Sequence, residues 1–105
     1  MIDDELMEQL IQEKGLTAPR ITPDTIEAKL KAVWYYTHVV PNTTTTICVA
    51  VLNGFTLAIE YSGCVDKANF DEEIGATIAR GKAKVTARDK LWELEGYALH
   101  KELKA

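Results

Sequence analysis

The chain has 105 residues, 47% of them hydrophobic and 27% charged, and its twelve Lys and Arg against sixteen Asp and Glu give a formal charge of -4. These values exclude a disordered tail, leave room for one modest core rather than two domains, and oppose a general nucleic-acid coat or an anionic-membrane anchor. No run approaches the roughly 18 apolar residues of a membrane span, the start MIDDELMEQL lacks the basic-then-apolar order of an export signal, and Cys48 and Cys64 make no disulfide framework.

One cytoplasmic domain over residues 1–105 is therefore expected, with both thiols reduced. Asp3 or Asp4 is placed to cap a first helix over about 4–14, where Leu6, Met7, Leu10 and Ile11 recur at three and four and Gly15 supplies a left-handed stop. Thr17 to Arg20 reads as a linker. Thr22-Pro23 then pairs an N-cap with a proline at the first helical position, opening a second short helix over about 23–32 with Ile26 and Leu30 four apart.

From Val33 the composition turns β-branched and aromatic, VWYYTHVV, which gives a strand over 33–40 that Pro41-Asn42 breaks. Two further strand-like runs, 43–52 and 55–62, flank Asn53-Gly54, the pair that tolerates positive φ at both positions of a two-residue hairpin turn. Alternation from that turn sets Leu52 opposite Phe55, Ala50 opposite Leu57, Cys48 opposite Ile59 and Thr46 opposite Tyr61, one largely apolar face. The other face would carry Thr45, Ile47, Val49 and Val51 against Thr56, Ala58 and Glu60. A turn centred on Pro41-Asn42 sets His38 opposite Thr45, Tyr36 opposite Ile47 and Trp34 opposite Val49, with the middle run as the central strand.

Beyond Gly63 the period changes from two to about 3.6. Asp66 is placed to cap a single turn, and Asn69 with Glu72 forms a capping-box pattern opening a helical region over about 70–103. Ile74, Ile78, Val85 and the alanines Ala79, Ala83 and Ala87 mark one broad face. Gly75, Gly81 and Gly96 each cost a helix roughly 1 kcal/mol relative to alanine, so close packing or a break must offset them. The region is expected as one helix to about Lys90, followed by a bend near Trp92 or a second helix to Leu103. The fold class is α+β: a three-stranded antiparallel meander covered by a long C-terminal helix, with two short N-terminal helices at an edge or reaching a partner.

No catalytic constellation stands out. His38 and His100 lack the spacing of a metal finger, and Asp71, Glu72 and Glu73 suit the first turn of a helix, so neither a metal nor a cofactor is expected. Cys64, just before a turn, is the candidate for a thiol nucleophile, although Asp66 nearby opposes thiolate formation. Arg80, Lys84 and Arg88, spaced by four, form a basic ridge on one helical face that suits nucleic-acid phosphates, a nucleotide or an acidic partner, or is a solvated face paired with carboxylates. Trp34, Tyr36, Ile47 and Val49 are candidate interface residues, since both sheet faces carry apolar side chains and self-association would bury one of them.

Cys48, Leu52-Asn53-Gly54-Phe55, Ser62-Gly63-Cys64-Val65, Asn69-Phe70-Asp71, Ile74-Gly75, Ile78-Ala79 and Lys90-Leu91-Trp92-Glu93-Leu94-Glu95-Gly96-Tyr97, with Ile21-Thr22-Pro23 upstream, follow one another in an order that resembles a small family of phage and prophage proteins. That family is named after gene 49 of one phage and gene 66 of another. The resemblance implies a small accessory protein of phage or prophage origin in the host cytoplasm, and it brings no catalytic residues with it. The leading expectation is a non-enzymatic binding protein that acts through contacts with itself or with a host or phage protein. Nucleic-acid or nucleotide-signal binding through the basic ridge is the alternative, and a thiol enzyme using Cys64 a third.

Overall fold

The computed structural model describes residues 3–15 and 18–104. Helix α1 (Asp4–Glu13) and helix α2 (Pro23–Leu30) precede strands β1 (Trp34–Val39), β2 (Thr45–Leu52) and β3 (Phe55–Gly63). A single 3-10 turn at Lys67–Asn69 leads to helix α3 (Glu72–Lys104). The strands form one antiparallel sheet in the order β1-β2-β3, so β2 is central. This is the expected α+β arrangement; Thr17, where the linker was expected to begin, lies outside the described residues.

Local chemistry accounts for the element boundaries. Asp3 accepts from the Glu5 amide at 2.9 Å and caps α1, which ends before Gly15 at φ +66°. Thr22 accepts from the Thr25 amide at 3.2 Å, with Pro23 at the first helical position of α2. Asn53 and Gly54 both take positive φ, 51° and 78°, as the hairpin turn requires. The capping of α3 differs from expectation: Asp71, not Asn69, accepts from the Ile74 amide at 3.0 Å, because Asn69 is already part of the turn capped by Asp66.

The register also differs, in two ways with different consequences. β1 pairs with β2 two residues farther along than expected, with Trp34 opposite Val51, Tyr36 opposite Val49 and His38 opposite Ile47. The connection is longer than a two-residue turn, since the Val40 amide bonds the Thr45 carbonyl at 2.9 Å. A shift of two leaves every side chain on its expected face. Between β2 and β3 a bulge beside Ala50 and Val51 shifts the pairing by one, so Ala50 faces Ala58 and Cys48 faces Glu60 rather than Leu57 and Ile59, and Thr46 faces Ser62 rather than Tyr61. Leu57 and Ala58 are consequently both buried, and Ile59 and Tyr61 turn to the opposite face.

Helix α3 covers the inner face of the sheet without a break. Its contact row is Gly75, Ala79, Ala83, Ala87 and Leu91, with the three alanines fully buried against Cys48, Ala50 and Ala58. Small side chains on both sides let the helix lie close to the strands. Ile74, Ile78 and Val85, expected on the same face, are exposed instead, because the alanine row alone fills the narrow gap. Bulkier Ile26, Leu30, Val33, Leu57 and Leu91 complete the core. Neither the bend near Trp92 nor the separate second helix expected as its alternative is present, and 33 continuous residues at 1.5 Å each make α3 about 50 Å long, close to the 56 Å longest dimension of the molecule.

Candidate functional site

The outer face of the sheet is built in cross-strand rows. Trp34 stands beside Val51 and Thr56, Tyr36 beside Val49 and Ile59, and His38 beside Ile47 and Tyr61. No described element covers these rows. Trp34 is 56% exposed, Tyr36 52%, Ile59 65% and Tyr61 63%, values far above those of the alanine row on the inner face. Tyr36 and His38 stack with ring centroids 6.3 Å apart, so β1 presents a flat aromatic edge.

The rows contain no Asp, Glu, Lys or Arg, although such residues are 27% of the chain. Lys82 comes round the β3 edge, its ammonium 5.9 Å from the Tyr61 ring centre and 3.2 Å from the Tyr61 carbonyl. The face is thus aromatic and without formal charge, with a few hydroxyls and one imidazole.

All four interface candidates, Trp34, Tyr36, Ile47 and Val49, lie on this face. The structure adds Ile59 and Tyr61, which even alternation from the turn had placed toward the core. A bulge at two consecutive apolar residues, Leu57 and Ala58, leaves little signal in the hydrophobic pattern.

The basic ridge divides. Arg88 donates to Glu27 at 2.8 Å and ties α3 to α2, while its Nε is buried without a partner. Arg80 and Lys84 are exposed and make no ion pair among the described residues, and they border a shallow recess with Leu30, Tyr35 and Thr77. Burial raises the Tyr35 hydroxyl above its ordinary pKa, with Arg88 working in the opposite direction. The phenol is therefore a neutral donor beside these two cations.

Cys64 is half-buried, and its thiol donates to the Asp66 carbonyl at 3.2 Å while its own carbonyl accepts from the Thr44 hydroxyl. The thiol is thus engaged by backbone rather than by a base. Cys48 is fully buried, and burial pushes its thiol above the ordinary range, opposed in part by the charge of Arg80. Among the described residues no group of three or more His, Cys, Asp or Glu is arranged to hold a metal ion, and no helix is long and apolar enough to cross a membrane.

A second concavity was not anticipated from sequence. α1 buries none of its residues, and its inward Met7 and Ile11 face Ile21 and Trp92 across an open groove. Arg20 forks onto both carboxylate oxygens of Glu8 and holds the helix in place. That pair lowers the Glu8 pKa below the ordinary carboxylate value and raises that of Arg20.

Comparison with curated proteins and with solved structures gives no match. A family model does match, over residues 21–103, which takes in α2, the whole sheet and nearly all of α3 and leaves α1 ahead of the matched span. With the sheet, its turn and its covering helix all inside that span, the chain belongs to the Phage protein (N4 Gp49/phage Sf6 gene 66) family.

Proposed function

We propose that the chain is a non-enzymatic phage accessory protein that works in the host cytoplasm by binding a host or phage protein through the outer face of its sheet. The observation that carries this reading is the exposure of Trp34, Tyr36, Ile59 and Tyr61 in adjoining rows that hold no formal charge. Exposed apolar patches of this kind, rimmed by polar residues, mark interaction sites. Aromatic side chains at their centre supply most of the binding energy when a partner excludes water from them.

Recovery of the tagged chain from infected cells tests the reading. The wild type should bring down a reproducible protein partner, and a Tyr36→Ala/Ile59→Glu variant should lose it with an unchanged melting temperature. A partner retained by the variant, or recovery of the chain alone, refutes the role of this face.

A second reading rests on Arg80 and Lys84, two exposed cations without carboxylate partners among the described residues, beside the neutral hydroxyl of Tyr35. It assigns the recess to the phosphates of a nucleic acid or a nucleotide signal. Titration with oligonucleotides and nucleotides should then show salt-sensitive binding that Arg80→Glu/Lys84→Glu abolishes. Binding that survives both reversals removes the site.

A further inference from the structure

Two features at one end of the molecule have no counterpart among the described residues of a single copy. The groove beside α1 encloses about 750 Å³ between Met7, Ile11, Ile21 and Trp92, with Asp89 on its rim. The free end of α3 is the other. Buried side chains on α3 stop at Leu91, and the Lys29–Glu95 ion pair at 3.1 Å is the farthest tie along the helix among the described side-chain bonds. Gly96–Lys104 then runs on for nine helical residues, a rise of about 13 Å.

One stripe connects the two features. Trp92, Gly96, Leu99 and Leu103 are spaced four, three and four, which places them in line along α3, from the groove wall out to the free end. Leu103 is 60% exposed at the end of that line. Gly96 has open space where a Cβ would stand, so nothing among the described residues of one copy accounts for a glycine there. Because α3 is continuous, its end cannot fold back onto its own Trp92.

We propose that two copies of the chain exchange these ends, the Gly96–Lys104 segment of each α3 lying antiparallel on the other's stripe and entering the groove beside its Trp92. With the two-fold axis between Tyr97 and Ala98, Trp92 meets the other copy's Leu103 and Gly96 meets the other copy's Leu99. The contact is isologous, so each pairing occurs twice. Gly96 provides the hole and Leu99 the knob that fills it.

The charges fit the same register. Lys104 comes to the other copy's Asp89, and the His100 imidazole stands beside its Glu93 as a hydrogen-bond donor, while Glu102 approaches a Glu95 whose charge Lys29 already balances. A parallel pairing would set Asp89 on Asp89, Lys104 on Lys104 and glycine on glycine. The antiparallel exchange also leaves the outer face of each sheet free for the partner proposed above.

Sedimentation of the full chain over a concentration series tests the exchange and should resolve a monomer–dimer equilibrium. Gly96→Leu fills the hole with a better helix former, so it should raise the dimer Kd about tenfold or more while helicity by circular dichroism is kept. Lys104→Glu, at an exposed helix end, should weaken the dimer as well, and adding Asp89→Lys should restore it. A chain that sediments as a monomer throughout overturns the proposal. So does a dimer that withstands Gly96→Leu and Lys104→Glu, and one that Ile59→Glu dissolves in their place is association through the sheet.

Discussion

The Ser62 hydroxyl donates to the Gly75 carbonyl across 2.9 Å, fastening β3 to the first turns of α3. A Cβ on Gly75 would stand 2.7 Å from Oγ1 of Thr46, a side chain only 1% exposed whose hydroxyl has no partner. The close approach of helix and sheet therefore depends on a glycine that helix propensity disfavours. This offsets its cost, as the pattern of glycines in the sequence required.

Gly75→Ala should consequently destabilise the protein by about 1–2 kcal/mol, the overpacking outweighing the gain in helix propensity. Gly81→Ala, where a Cβ would meet nothing within 4 Å, should stabilise it by up to about 1 kcal/mol. Chemical denaturation of both variants gives the comparison. Thr46→Ala removes the clashing oxygen and an unpaired buried hydroxyl together, so adding it to Gly75→Ala should recover most of the loss.

Gly54→Ala forces a Cβ into the left-handed region at φ +78° and should cost about 1–2 kcal/mol. The effect belongs to the backbone, because open space surrounds the position. Replacement of Asn53 by a β-branched residue such as valine should also destabilise the turn, whereas Asn53→Gly should be tolerated; denaturation midpoints order the three.

That turn was legible because two residues with a shared backbone requirement stand between two alternating runs. The rest of the register was less so. Leu57 and Ala58 are both apolar, so either satisfies the inward pattern and the bulge that buries both leaves no mark. The error at the β1–β2 connection was an even one, and so Trp34, Tyr36, Ile47 and Val49 were assigned to the correct side for the wrong pairing. The helix was legible through Gly81 as far as about Lys90, but its continuity past Trp92 was hidden, since Gly96 reads as a break when its surroundings are unknown. The groove at Trp92 depends on where α1 docks, and the Glu8–Arg20 pair that docks it joins residues whose relation no local pattern encodes.

The two cysteines should separate cleanly toward a thiol reagent. Cys48 is fully buried with a raised pKa, so its modification should require unfolding, and Cys64 should react in the native state. One equivalent of rapid labelling, rising to two in denaturant, is the expected count from mass spectrometry. Two rapid equivalents would place Cys48 outside the core.

Acid should loosen α1 before the sheet. The Arg20 guanidinium holds the Glu8 pKa below its unfolded value, so the contribution of this pair is fully present above the ordinary carboxylate range and is lost as pH falls through the depressed folded value. Carbon-detected NMR of the Glu8 carboxyl should show a titration midpoint below that of an unpaired glutamate, and Arg20→Ala should return it to the ordinary range. Because α1 buries no residue and its tie to the body is this half-buried pair, its amide signals should shift across the same titration while those of β2 stay fixed. Arg20→Ala should bring the α1 signals close to their acid positions already at neutral pH, and α1 signals that do not respond to either change would mean that Met7 and Ile11, rather than the ion pair, hold the helix against the groove.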